Sequence, residues 1–463
     1  MGKVTALLVA LVAIAGFYLV EKHPAYEEHV APFVQQHVTP LYEQHVAPLV
    51  DQHITPLYNE HVAPLVDQHA KPLYDQHVKP LYDKHVAPLF TRSLVAKDIQ
   101  VEGDGSGLDR ATCDALAVDH LTDVKPIEGF HVFCVQAVAD NKLAGFIYTE
   151  GMKKASGGFA FNVDAKWNSF DDVVAKTVQR PPKTDIEIRF KQPWGLFTPT
   201  GERITSLSEL QDPIVYYMEG GQFIWPGIRI GHKRVIENLH GLGSVEMETL
   251  EMTPLVFAID EFLHDDEIDL ILDLSMDHLA PSGVTHNDND VNKPATEWRT
   301  STTYFLPSRG HPKLEALDQR VADLVKVDES HQEHVQVLRY ELNQKYDAHL
   351  DYFSIDQLTK SPDVVAGLDH GYKNRMITVF WYMSDVAKGG HTVFPRAGGK
   401  PRPHDFTDCT TGLLSPPKKR KVIVFYSMLP SGRGDVYSLH GGCPVLEGIK
   451  YSGNKWIWNK PFY

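Results

Sequence analysis

The sequence predicts an α+β protein of three unlike parts: an N-terminal repeat, a small β-rich middle region, and a larger C-terminal unit. In the last, flanking helices cover a β-barrel. Three observations carry this reading. Short alternating strands crowd the second half of the 463 residues, with helical patterns only at Asp265 to Met276 and Leu314 to Val325. His349-Leu350-Asp351 lies on one such strand, with His440 and Lys450 about a hundred residues on. A strict octad repeat fills His29 to Phe90 and belongs to neither pattern.

Residues 1–22 come first. Lys3 precedes an apolar run from Val4 to Val20, interrupted by Thr5 and Gly16. Seventeen residues suffice to span a bilayer as a helix, so the run reads as a signal-anchor with the rest luminal. A cleaved signal peptide is the alternative, because Ala13-Ile14-Ala15 has the small-x-small form of a cleavage site. Either way the chain enters the secretory pathway: the expectation is a single-pass type II protein of the endoplasmic reticulum or Golgi, secreted if cleaved. Its four cysteines permit disulfides there.

Residues 23–92 hold the repeat. His recurs every eight residues from His29 to His85, and Pro follows each by three, from Pro32 to Pro88. Proline inside a helix costs roughly 3 kcal/mol, so a straight helix is disfavoured. Eight separated imidazoles do not converge on one ion, which argues against a metal array. A membrane-surface segment and a stalk that spaces the enzyme from the membrane remain, and the stalk is the simpler.

Residues 97–243 form the middle region. Gly103 to Gly107 has linker composition, and strands are expected at Gly129 to Val135, Ala144 to Tyr148, Asp185 to Phe190 and Ile214 to Met218. The order of strand, Thr200-Gly201-Glu202-Arg203-Ile204 turn, Ser206-Leu207-Ser208-Glu209-Leu210 cap and final strand is similar to a ubiquitin-like or doublecortin-like β-grasp. No catalytic constellation is visible there. Net charge is −15, which argues against a nucleic-acid partner.

Residues 250–463 carry the chemistry. On a strand, positions i and i+2 share a face, so His349 and Asp351 look into one cavity. His440 joins them from a distant strand that closes the same barrel. Two imidazoles and one carboxylate form the facial set that leaves iron positions open in non-haem oxygenases. Lys450 offers fixed charge for the far carboxylate of a 2-oxoacid. Asn287 to Asp290 lacks the spacing of a calcium loop. Pro416 to Val422 mimics a nuclear signal, but it sits before the strand Val422 to Tyr426.

The region Pro254 to Phe462 resembles the prolyl 4-hydroxylase family of 2-oxoglutarate/Fe(II) dioxygenases, especially the plant type. The resemblance runs through Pro254 to Leu263, Arg299-Thr300-Ser301, Tyr340-Glu341, Gln344 to Phe353, Arg375 with Thr378, Gly389 to Pro395, His440 to Val445 and Asn454-Lys455-Trp456. It implies a double-stranded β-helix, or jelly-roll. It also implies Fe(II) on His349, Asp351 and His440, with Lys450, Tyr340 and Thr392 holding 2-oxoglutarate. Arg375 and Trp456 would line the groove for a proline-containing peptide, and Asp356 to Tyr372 would be a substrate lid. O2 is the oxidant and L-ascorbate the reductant that the resemblance implies, with 4-hydroxyproline, succinate and CO2 as products.

A Cys409–Cys443 disulfide is likewise implied, two buried thiols being the alternative. Ile449, Tyr451 and His391 depart from the residues usual in the family beside Lys450 and Thr392. Two rival readings stand beside this one: a dioxygenase for another residue or a small molecule, and an inactive membrane-stalked binding protein. An inactive relative usually loses a ligand or the lysine, and all four are present here.

Overall fold

The computed structural model describes residues 110–138, 142–153, 159–164, 194–210, 212–285 and 294–462. The N-terminal apolar run, the octad repeat, the 103–107 linker, the expected strand at 185–190 and the 287–290 loop lie outside them. Among the described residues no helix is long and apolar enough to cross a membrane.

Helix α1 (Arg110–Ala117) precedes an antiparallel sheet of six strands. These are β1 (Phe130–Val138), β2 (Lys142–Tyr148), β3 (Phe159–Asp164), β4 (Gly195–Phe197), β5 (Arg203–Ile204) and β6 (Ile214–Met218), in the order β3-β2-β1-β6-β4-β5. Among the described residues, strands appear where they were expected near 129–135, 144–148 and 214–218, but β1 and β6 run antiparallel. A β-grasp pairs its first and last strands in parallel, so that likeness ends at the element order. Cys113 of α1 and Cys134 of β1 form a disulfide that the sequence left open.

The C-terminal half continues with β7 (Lys233–Leu239), β8 (Gly243–Met252) and β9 (Leu255–Ile259), then helix α2 (Asp265–Ser275) and the short strands β10 (Ala280–Pro281) and β11 (Thr302–Leu306). Helix α3 (Pro312–Val325), β12 (Val335–Tyr340), β13 (Tyr346–His349), helix α4 (Pro362–Gly367) and β14 (Arg375–Tyr382) follow. Next come β15 (Lys388–Gly389), β16 (Thr392–Phe394), β17 (Leu413–Ser415) and β18 (Val422–Tyr426). The chain closes with β19 (His440–Gly442), β20 (Val445–Glu447) and β21 (Lys450–Trp458).

Nine strands make a large sheet, β10-β11-β12-β21-β14-β18-β9-β8-β7, and four make a small one, β13-β19-β16-β17. The chain alternates between them: β12 large, β13 small, β14 large, β16 small, β18 large, β19 small, β21 large. That shuttling wraps two facing sheets into the expected jelly-roll.

Both helices lie where their amphipathic patterns placed them. Three acids open α2, favourable to its dipole, and Glu267 accepts from the His264 backbone N–H at 2.8 Å. Their apolar faces, including Ile268, Ile271, Leu317 and Val321, pack with Val337, Ile377, Val379 and Val424 of the large sheet. The same core takes in Phe130, Tyr216, Met218 and Trp225 of the middle region. The line drawn between residues 243 and 250 runs through the β7–β8 hairpin, whose two strands both belong to the large sheet. The nuclear-signal mimic is neutralised locally: Lys418, Lys419 and Arg420 pair with Asp260, Asp265 and Glu261.

Candidate active site

β13 and β19 are neighbours in the small sheet, and their register sets His349 opposite His440. The ring centroids are 4.5 Å apart. Asp351, two residues past His349, is 4 % exposed and lies between them. One carboxylate oxygen is 3.7 Å from His349 Nε2 and the other 3.5 Å from His440 Nε2. The three ligand atoms all fall within 4.8 Å of one another, and no other group of this kind occurs among the described residues.

The residues around the triad set its chemical form. His349 Nδ1 donates to the Asp347 carbonyl at 2.8 Å and His440 Nδ1 to the Ser438 carbonyl at 2.9 Å. With Nδ1 of each ring committed to a carbonyl, Nε2 is the nitrogen turned inward and left for a metal. Thr378 Oγ1 donates to Asp351 at 2.6 Å and fixes the carboxylate plane. Burial, with the neighbouring His440, holds His349 far below the usual imidazole range, in its neutral form. Burial opposes ionisation of Asp351, but His440, His349, Arg375 and the Thr378 hydrogen bond outweigh it and keep the group a carboxylate. Two imidazole nitrogens and a carboxylate so arranged fit a divalent metal.

Behind His349 stands a stack: Tyr346 lies parallel to its ring at 3.6 Å, and Arg299 lies over Tyr346 at 4.5 Å. Arg299 is anchored in turn by Ser301 and Gln336. The imidazole is clamped from below as well as from its Nδ1 edge.

Lys450 opens β21 and faces the same cavity, 1 % exposed. The rings of Tyr340, Phe380 and Tyr382 box its ammonium at 5.4, 5.2 and 5.6 Å. Burial pulls its pKa from 10.5 down to about 7, and no carboxylate offsets that burial. A cation so placed lacks its anion. Tyr340 is therefore beside Lys450 as expected. Thr392 is buried and accepts from the Tyr382 hydroxyl at 2.8 Å, which fixes it at the same end of the barrel. His391 feels the Lys450 charge, which adds to burial in lowering its pKa.

Arg375 and Trp456 also meet, in an arrangement the sequence did not foretell. The guanidinium lies 3.5 Å over the indole centroid and is gripped by Glu333 at 2.6 and 3.0 Å. Trp456 is only 4 % exposed, so Arg375 covers the indole face that was expected to receive an apolar ring. Phe353 stands 5.2 Å from the same guanidinium, and Trp458 Nε1 donates to Glu333 at 2.7 Å. The expected lid is an ordered cap whose Leu358 and Leu368 pack on Trp458. Cys409 and Cys443 are bonded, tying the 409 loop to the chain just past His440.

Sequence reasoning missed the inward roles of Thr378, Phe380, Tyr382 and Glu333. The first three alternate along β14 on the face opposite Ile377, Val379 and Trp381, which belong to the main core. Period-two spacing puts these three on one face of the strand, but nothing in the sequence marked that face as the inward one. Glu333 carried no signal.

Comparison with known proteins agrees with this geometry. Residues 335–458 match the family model of the 2OG-Fe(II) oxygenase superfamily. Prolyl 4-hydroxylase 2 of Arabidopsis thaliana is 35 % identical over 219 residues, 46 % of this chain and 70 % of that one. Prolyl 4-hydroxylase 5 of the same plant is 34 % identical over 223 residues, 47 % and 72 % of the two chains. Among solved structures, the viral collagen prolyl hydroxylase of Paramecium Bursaria Chlorella virus-1 in its 2OG complex aligns with a TM-score of 0.31. It is 23 % identical, over 44 % of this chain and 95 % of that one. The matched stretch holds the paired histidines, their carboxylate and the boxed lysine, and the chain belongs to the prolyl 4-hydroxylase family of 2-oxoglutarate/Fe(II)-dependent dioxygenases.

Proposed function

We propose that this chain converts peptidyl proline to 4-hydroxyproline, with Fe(II), 2-oxoglutarate and O2, and with ascorbate to restore the reduced metal. One observation carries the reading: a His–carboxylate–His set shares its barrel with a buried lysine that lacks an anion. His349, Asp351 and His440 hold the iron. Held there, iron and 2-oxoglutarate would supply the O2-activating chemistry, the oxoacid giving up two electrons as one oxygen atom of O2 goes to the substrate.

The chain's own residues do the rest. The Asp347 and Ser438 carbonyls and Thr378 keep the three ligands aimed before metal arrives, so little reorganisation follows. Lys450 pairs with the C5 carboxylate of 2-oxoglutarate, with Tyr340 and the Tyr382–Thr392 hydrogen bond beside it. An incoming dianion restores the charge that burial suppresses. Arg375, locked between Glu333 and Trp456, forms a rigid wall at which the substrate backbone is positioned, and the cap over Trp458 keeps water out. Lys450, Tyr340, Thr392, Arg375 and Trp456 thus keep the roles that family resemblance suggests, with Trp456 acting through its edge and through Arg375.

We further place the protein in the endoplasmic reticulum or Golgi, anchored by the Val4 to Val20 run with its catalytic unit luminal. Two disulfides support an oxidising compartment. Protease protection of tagged chain in sealed microsomes tests this, and digestion of the C-terminus in intact vesicles would refute it.

The activity test uses full-length chain with Fe(II), 2-oxoglutarate and ascorbate, with and without proline-rich peptides. Peptide-stimulated succinate release, oxygen gained on proline, and loss of both in His440→Ala are expected. Succinate without proline oxidation would move the substrate to another class.

A further inference from the structure

The octad repeat has no part in the chemistry so far, yet it is the most regular array of isolated prolines in the chain. Proline recurs every eight residues from Pro32 to Pro88, always three after His. Leu follows each one, or Phe33 in the first unit, and Ala or Thr precedes six of the eight. We propose that the repeat is a substrate of its own protein: the catalytic unit hydroxylates the octad prolines at C4. This rests on the proline hydroxylation proposed above and names a substrate for it.

The demands of the site match what the repeat offers. Asp351 and His440 are 4 % and 7 % exposed, so a target ring has to be delivered deep into the barrel. An isolated proline suits this delivery, because its φ is fixed and the residue before it is pushed to extended backbone. A small residue before the proline, such as Ala31, Thr39 or Ala47, asks for least room in a site walled by Arg375 and Trp456.

Beside that wall stands Phe305, 43 % exposed, its ring 6.3 Å from Trp456. It pairs in register with Gln336, whose amide oxygen accepts from Asn454, so it belongs to the inward face of the large sheet. An exposed aromatic at that place suits the Leu or Phe that follows every octad proline. Lys373 stands over Trp458 and Phe462 at 5.6 and 5.4 Å. Five of the eight units carry Asp or Glu three residues after proline, as at Glu43 and Asp51, to meet such a cation. The repeat is also made in fixed ratio with the enzyme, which raises its encounter frequency over any free peptide.

The reaction balances with the co-substrates already named. One oxygen atom replaces the C4 hydrogen as hydroxyl, and the other enters the carboxylate of succinate as CO2 leaves. Two electrons come from the C–H bond and two from the C1–C2 bond of 2-oxoglutarate.

The test incubates full-length chain with Fe(II), 2-oxoglutarate, ascorbate and a separate proline-rich peptide, then maps both by tandem mass spectrometry. Expected is the mass of one oxygen on octad prolines, absent at the changed unit of Pro48→Ala and absent without 2-oxoglutarate. A second arm supplies heavy-isotope full-length Asp351→Ala chain to unlabelled enzyme. It needs only to present its repeat, so its folding does not matter. Oxygen on the heavy repeat means hydroxylation between chains; oxygen on the light repeat alone means hydroxylation within one. Either supports the proposal. If the free peptide is oxidised and both repeats stay unchanged, the inference is wrong and the activity stands. If nothing is oxidised, both are wrong.

Discussion

Lys450 and Lys455 lie five residues apart on one strand, each 1 % exposed, on opposite faces of the large sheet. Lys455 has its counter-ion built in: Asp318 of α3 sits 2.6 Å from its ammonium, with Glu329 and Glu333 adding to the attraction. Lys450 meets three aromatic rings and no carboxylate. Burial depresses both, but only Lys455 is compensated from within the fold. The contrast separates a charge that serves the fold from one kept for a ligand. Burial alone does not tell them apart; the missing partner does.

The contrast is broken most sharply by Lys450→Met. Removing one member of a buried charge pair costs about 2 kcal/mol or more, so the KM for 2-oxoglutarate rises at least about thirtyfold. Stability of the metal-free chain holds or improves, because the variant buries no unpaired ammonium. Steady-state kinetics and urea unfolding of one preparation read both. A KM within threefold of wild type would place the co-substrate elsewhere.

Asp318→Asn is the mirror experiment. It leaves Lys455 buried without its partner and costs about 3 kcal/mol of stability, while 2-oxoglutarate affinity of the folded fraction is unchanged. An unaltered urea midpoint would mean that the pair contributes nothing.

A third test is in pH. Lys450 titrates at about 7 in the folded metal-free chain and near 10.5 when unfolded. Between those values the unfolded chain binds the extra proton, so stability rises with pH through that window. Saturating 2-oxoglutarate flattens the rise by restoring the folded-state pKa, and Lys450→Met removes this lysine's share of it. Thermal midpoints from pH 7 to pH 10 test this, and a rise of equal size in Lys450→Met would assign it to Lys455 instead.

The legible part of this molecule was whatever local pattern controls. The H-x-D spacing placed His349 and Asp351 on one side of a strand end. Apolar periodicity set α2 and α3 within a residue or two of their observed limits. What stayed hidden depended on partners far along the chain. Arg375 to Tyr382 is buried on both faces after its first residue, so period two could not say which face looks inward. Glu333 acquires its role only because Arg375, forty-two residues on, folds against it. Four cysteines permit three pairings, and only tertiary proximity selects Cys113 with Cys134. The antiparallel β1–β6 pair is the same lesson: strands were foreseeable, their direction was not.

The two-faced strand β14 bears on how such an enzyme can change. Thr378, Phe380 and Tyr382 serve the cavity, while Ile377, Val379 and Trp381 serve the interior on the other side. Inserting or deleting one residue exchanges the two sets at a stroke. Descendants of this chain can therefore swap side chains along β14 but not alter its length. Novelty in what the enzyme accepts has to enter through segments such as 354–373, whose length no opposing register constrains.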